Sequence, residues 1–121
     1  MTEHADNAAV QADAAVQALV ALIAQLERTT AELDAAAERA HQLIELRSSG
    51  QPWREIVFAE ERPLIIERIS RALDDLGAVG SRFRREEARA LRSEEVSITE
   101  IGKLFGVTRQ RASALVQDPG A

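Results

Sequence analysis

The chain of 121 residues has no cysteine and no tyrosine, only three prolines, one tryptophan and three phenylalanines. Without cysteine there is neither a disulfide framework nor a thiolate zinc site. Aromatic residues at 3% and scarce proline argue against sandwiches and barrels. The most apolar window, Ala14 to Leu26, is interrupted by Gln17 and Gln25 and falls short of the ~20 residues that cross a bilayer. The N-terminus has no basic start and no unbroken apolar core, so a cytoplasmic, unprocessed protein is expected. A phosphate-binding glycine loop and a recognisable Ser-His-Asp set are also missing. His4 and His41 have no ligand-spaced partner, and Glu60-Glu61, Glu86-Glu87 and Glu94-Glu95 have the adjacent spacing of solvated helix surface. No metal, no cofactor and no enzymatic activity are expected.

What the chain does have is alanine, arginine and an uneven charge. The formal net charge is -5. Residues 1–46 carry eight acids against Arg28 and Arg39, a balance of -6, whereas residues 82–121 carry eight bases against six acids, a balance of +2. Only the tail suits a polyanion.

From about Ala9 to Leu46 there is no glycine or proline, and strong helix formers dominate, so one long helix of roughly ten turns is expected. Val16, Leu19, Ile23, Leu26, Thr30, Leu33, Ala37, Ala40 and Ile44 follow alternating steps of three and four. This is a heptad, with β-branched residues at several a positions and leucine at d, the pattern of a parallel two-stranded coil. Val16, Leu19, Ile23, Leu26, Leu33 and Ile44 are the expected dimerisation residues. Val20, Leu22 and Leu43 widen the stripe, as they would if the helix instead folded back onto its own chain.

Ser48, Ser49, Gly50, Gln51 and Pro52 break the helix, and Pro52 is suited to be the first residue of a short one through Trp53, Ile56 and Val57. Trp53 reads as a core anchor. Pro63 starts a second helix with Ile65, Ile69, Leu73 and Leu76 on one face and Gly77 as its stop. Gly80 and Ser81 open a third, Arg82 to Ser93. A faint repeat links Leu46-Arg47-Ser48 with Glu55-Ile56 to Leu91-Arg92-Ser93 with Glu100-Ile101, 45 residues later. The middle segment therefore reads as a degenerate copy of the C-terminal motif.

That motif is Ser97 to Val116, SITEIGKLFGVTRQRASALV. Ser97 and Glu100 form a capping box for a helix Ile98 to Phe105. Gly106 supplies the positive φ of a short turn, Val107 plugs the corner, and Thr108 caps a helix Arg109 to about Gln117. Gly102 is the small residue that two steeply crossing helices need. Ile101, Phe105, Val107, Ala112 and Leu115 supply a shared apolar core, completing a helix-turn-helix.

The outer face of the second helix carries Gln110, Ser113, Ala114 and Gln117, flanked by Arg109 and Arg111. Glutamine pairs with adenine edges, arginine with guanine, and Ala114 suits a thymine methyl. Thr108 at the helix start suits a phosphate, and Thr99, Lys103 and Arg111 suit neighbouring ones. Arg82, Arg85, Arg89 and Arg92, at steps of three, four and three, form a basic stripe that either meets phosphates or pairs with Glu86 and Glu87 in solvent.

The residues Glu100-Ile101-Gly102, Phe105-Gly106-Val107-Thr108-Arg109 and Arg111 resemble region 4 of sigma-70-type sigma factors and the small bacterial, actinobacterial-type regulators that share its helix-turn-helix. The resemblance covers about twenty residues, or forty with the preceding helix. It implies that the second helix lies in the major groove and that Arg109, Gln110 and Ser113 reach bases. Gln110 stands where the sigma pattern usually has Glu, and Ser113 where it often has Arg, so the target need not resemble a promoter element. The chain lacks room for the other sigma regions.

The expected fold is all-α: a disordered stretch 1–8, a long dimerisation helix 9–48, a helical middle segment 49–80, a helix-turn-helix domain 81–117 and a disordered tail 118–121. The expected function is a homodimeric, sequence-specific transcriptional regulator in the cytoplasm, on the nucleoid. Parallel pairing suits half-sites about 34 Å apart. An antiparallel pair would separate the motifs by up to roughly 60 Å and favour a DNA-bridging, nucleoid-associated protein. The alternative from another class is an interaction protein whose acidic helix binds a sigma factor or an RNA polymerase subunit.

Overall fold

A computed structural model of the protein describes the backbone of residues 3–117 and the side chains of residues 14–117. Among these residues the fold is all-α, with five helices and no strand: α1 (Glu3–Ser48), α2 (Trp53–Ala59), α3 (Ile65–Ser93), α4 (Ile98–Phe105) and α5 (Arg109–Gln117). None is long and apolar enough to cross a membrane. The helix α1 begins at Glu3, inside the stretch 1–8 expected to precede it. The expected tail 118–121 and the side chain of His4 lie outside the described residues. The described chain divides into two compact units. One contains α1 up to Ile23 together with the chain from Ala78 onward, and the other is Ala24–Gly77.

Two seams run along α1, and they differ in kind. Ala18, Gln25, Thr29 and Ala36 are buried, with Leu22, Leu43 and Leu46 half-buried in the same three-and-four rhythm. The two buried polar residues satisfy one another, Gln25 Nε2 donating to Thr29 Oγ1 at 3.1 Å. Rotated by one residue is the heptad of large aliphatics, and it is bare: Val16, Leu19, Ile23, Leu26, Leu33 and Ile44 are all exposed. In the unit Ala24–Gly77, α1 is tied to the segment behind α2 and lies beside the first turns of α3. Arg39 Nε bonds Glu60 Oε1 at 3.0 Å, while Glu32, one to two turns earlier, shares a recess with Arg68 and Arg71.

α3 joins what the sequence suggests are two helices. The expected stop at Gly77 and restart at Gly80 and Ser81 are corrected: the helix runs through, and neither glycine has a positive φ. Ile65, Ile69, Ala72, Leu76, Val79 and Phe83 are buried or half-buried in unbroken alternation across the glycines. That continuous burial outweighs the ~1 kcal/mol each glycine costs in a helix interior. Trp53 is also corrected. It is half exposed and stacks under the Arg47 guanidinium at 5.7 Å, while the anchor of α2 is Ile56, 1% exposed.

The 45-residue repeat is present in the backbone. After α1, Gly50 N–H donates to Arg47 O and Gln51 N–H to Leu46 O, with Gly50 at φ 99. After α3, Glu95 N–H donates to Arg92 O and Val96 N–H to Leu91 O, with Glu95 at φ 72. Both are Schellman turns, in which a left-handed residue lets two amides reach back to the last free carbonyls. Pro52 and Ser97 then occupy equivalent N-caps, at φ -71, ψ 148 and φ -71, ψ 156. Pro52 is thus the cap rather than the first helical residue. The copies part after their short helices. Gly106 makes a third Schellman turn behind α4, but Glu60 behind α2 is extended at φ -72, ψ 137, and five residues separate α2 from α3.

Candidate nucleic-acid interface

α4 and α5 occupy the spans the sequence predicts and pack against one another. Ser97 Oγ accepts the Glu100 amide at 3.1 Å, which fixes the start of α4. Behind α4, Gly106 adopts φ 70, ψ 31, and Val107 N–H donates to Gly102 O at 2.9 Å. Thr108 then caps α5, its hydroxyl accepting the Arg111 amide at 3.0 Å. Each junction satisfies amides or carbonyls that a helix end would leave open.

Gly102 has a sharper role than a crossing point. A Cβ there would lie 3.0 Å from Val107 O and 3.5 Å from Thr108 O, so the missing side chain admits the backbone of the turn itself. Beneath the corner, Ala88, Ile101 and Ala112 are fully buried, and Leu91, Val96, Ile98, Phe105, Val107, Leu115 and Val116 pack around them. The C-terminal part of α3 is therefore the third wall of the helix-turn-helix.

The four residues expected to meet bases come together. Arg109, Gln110, Ser113 and Ala114 line one shallow recess on the outside of α5 with Ile98 and Gln117. Arg109, Gln110 and Ala114 are exposed, and Ser113 is half-buried. Thr99, Lys103, Thr108 and Arg111, expected to meet phosphates, are exposed.

The basic stripe on α3 divides. Arg82 is exposed, but Arg85 and Arg89 are half-buried. Arg89 is committed within the fold: it donates to Glu86 Oε1 at 2.8 Å and, through Nε, to the carbonyl of Val116 at 3.2 Å. A cation on the last turn of α5 complements its carbonyl end. Arg89 thus ties α3 to α5.

One residue escaped the sequence reading. Arg84 lies over the Phe105 ring at 4.1 Å and borders a second recess with Arg85 and Arg111. Its signal was the spacing Arg84, Ala88, Leu91, which places it on the face that packs against α4 and α5. A search for basic residues at helical steps from Arg82 passes it by. Comparison with protein-family models, with curated proteins and with solved structures finds no match.

Proposed function

We propose that the protein is a sequence-specific DNA-binding regulator of transcription that acts as a homodimer on the bacterial nucleoid. The observation that carries this reading is the outer face of α5, where Arg109, Gln110, Ser113 and Ala114 share one accessible surface on a corner held by caps at both helix starts. Arginine, glutamine and a small apolar residue supply what a major-groove reader uses: donors to guanine, paired contacts to adenine and contact with a thymine methyl. Thr99, Lys103, Thr108 and Arg111 surround them with phosphate partners, and Arg82 and Arg85 extend that surface along α3.

A single helix-turn-helix on a tail of +2 binds weakly, so pairing supplies the affinity. The bare stripe Val16, Leu19, Ile23, Leu26 and Leu33 is the seam we assign to a second copy. Pairing that brings the two motifs to one end gives a compact palindromic footprint, and the opposite pairing gives the bridging, nucleoid-organising version.

The test is selection of bound sequences from random DNA, followed by titration of the enriched site with the parent protein and with Arg109→Ala/Gln110→Ala. Loss of discrimination between enriched and scrambled DNA supports the assignment. Unchanged discrimination overturns it.

A second reading draws on a different surface. In the unit Ala24–Gly77, Trp53, Val57, Phe58 and Ile66 are exposed, Phe58 by 78%. Together with the acidic α1, such a surface suits an interaction protein that engages a sigma factor or a polymerase subunit. Failure of any DNA sequence to enrich would favour it.

A further inference from the structure

We infer that the recess between α3, the turn after α4 and α5 is a binding site for a small amphipathic anion, a carboxylate or phosphate carried on a compact apolar body. The opening holds about 270 Å³, just under the range of about 300–1,000 Å³ that takes drug-sized ligands, so its occupant is small. Its floor is apolar, made by Phe105, Val107 and Leu115, and its rim carries the cations Arg84, Arg85 and Arg111. Ser81 adds a hydroxyl.

Both halves of that chemistry constrain the ligand. A bare inorganic anion would use the rim and leave the floor wet. An uncharged apolar molecule would cover the floor and desolvate the guanidinium groups without compensation. The rim is partly preorganised, because the Phe105 ring under Arg84 fixes one cation in place. The acid beside it competes weakly: Glu87 Oε1 lies 3.7 Å from Arg84 Nη1, well beyond the 2.7–2.9 Å of a charge-assisted hydrogen bond. Arg111 forms no ion pair among the described residues.

The recess also shares side chains with the surface proposed to meet DNA. Arg111 and Ala114 border both. An anion held by Arg111 takes a cation from the phosphate backbone, so ligand and DNA compete. This coupling rests on the DNA-binding reading; occupancy of the recess does not.

The test is an NMR titration of the full, isotope-labelled chain, without DNA, using three probes: 3-phenylpropionate, its neutral counterpart 3-phenylpropanol, and inorganic phosphate. The expected result is saturable shifts of the Val107 and Leu115 methyl groups with phenylpropionate. Binding of the other two should be at least about tenfold weaker, as should binding of phenylpropionate to Arg111→Ala. Arg111 is exposed, so this variant keeps the fold, and Arg84→Gln provides a second check scored only where its amide spectrum stays native. Absence of a saturable shift at millimolar probe, equal binding by phosphate alone, or unchanged binding to Arg111→Ala would overturn the site. A fall in affinity for enriched DNA on adding phenylpropionate supports the coupling. Binding of the probe with DNA affinity unchanged removes the coupling and leaves the recess standing.

Discussion

Ile56 and Ile101 stand 45 residues apart and fill the same place in two copies of one backbone motif. Each is the buried anchor of a short helix, 1% and 0% exposed, four residues after an N-cap whose carbonyl accepts its amide at 3.2 and 2.9 Å. In each copy a Schellman turn delivers the chain to that cap. The surfaces around the two anchors differ. Ile101 supports a polar and basic corner, while Ile56 lies in a unit that exposes Trp53, Val57 and Phe58.

The copies predict a stabilising change. Glu95 holds φ 72 where its counterpart is Gly50, and a side chain in that region strains against its own carbonyl. Glu95→Gly should raise stability by about 0.5–1 kcal/mol, and Gly50→Ala should lower it by about 1 kcal/mol. Denaturant titration followed by circular dichroism measures both; equal effects of the same sign would contradict the turn geometry.

Gly102 should resist a side chain. The 3.0 Å approach of Val107 O means that Gly102→Ala requires the backbone of the turn to give by a few tenths of an ångström, at an expected cost of about 1 kcal/mol. Gly102→Val should cost more and weaken DNA binding, since the turn sets the pose of α5. A thermal melt of Gly102→Ala that matches the parent would show that the corner relaxes freely.

Arg89 and Arg111 should separate stability from binding. Arg89→Ala breaks the bonds to Glu86 and to the Val116 carbonyl, costing about 1–2 kcal/mol of stability. The slope of DNA affinity against salt should be unchanged. Arg111→Ala should leave stability alone and reduce that slope by about one unit. A reversed pattern would make Arg89 the phosphate contact.

Charge in the bare seam should produce monomers. Ile23 is 50% exposed and Leu26 45%, so Ile23→Glu with Leu26→Glu leaves the folded chain intact. Sedimentation should then report a single chain where the parent reports two. A surviving dimer would place the interface elsewhere, and unfolding would show that the stripe is internal.

The C-terminal motif was legible because each of its signals is local. Ser97, Gly106 and Thr108 act on nearby amides, so capping and turn chemistry predicted where both helices start and where α4 ends. The heptad of α1 was legible for a similar reason, since large aliphatics mark it. The inner seam was not, because it consists of Ala18, Gln25, Thr29 and Ala36, residues that ordinarily signal a surface. Gly77 and Gly80 misled for the opposite reason. They are strong local breakers, yet the burial of Ile69, Ala72, Leu76 and Phe83 depends on partners distant in sequence, and these partners win. Trp53 stays outside because Ile56, three residues on, already fills the buried position of α2.

The buried apolar residues of the described chain are Ala18, Ala36, Ala72, Ala88 and Ala112 with only Ile56 and Ile101 beside them. An alanine withdraws one methyl group from water where leucine would withdraw a branched chain. Unfolding of a single chain therefore wets less hydrocarbon than release of a leucine-filled core would. The heat-capacity increment should fall below the ~12–15 cal/mol/K per residue of ordinary domains, and the response to urea should be correspondingly shallow. A single chain should melt over a broad range of temperature, and its stability should change little between cold and warm.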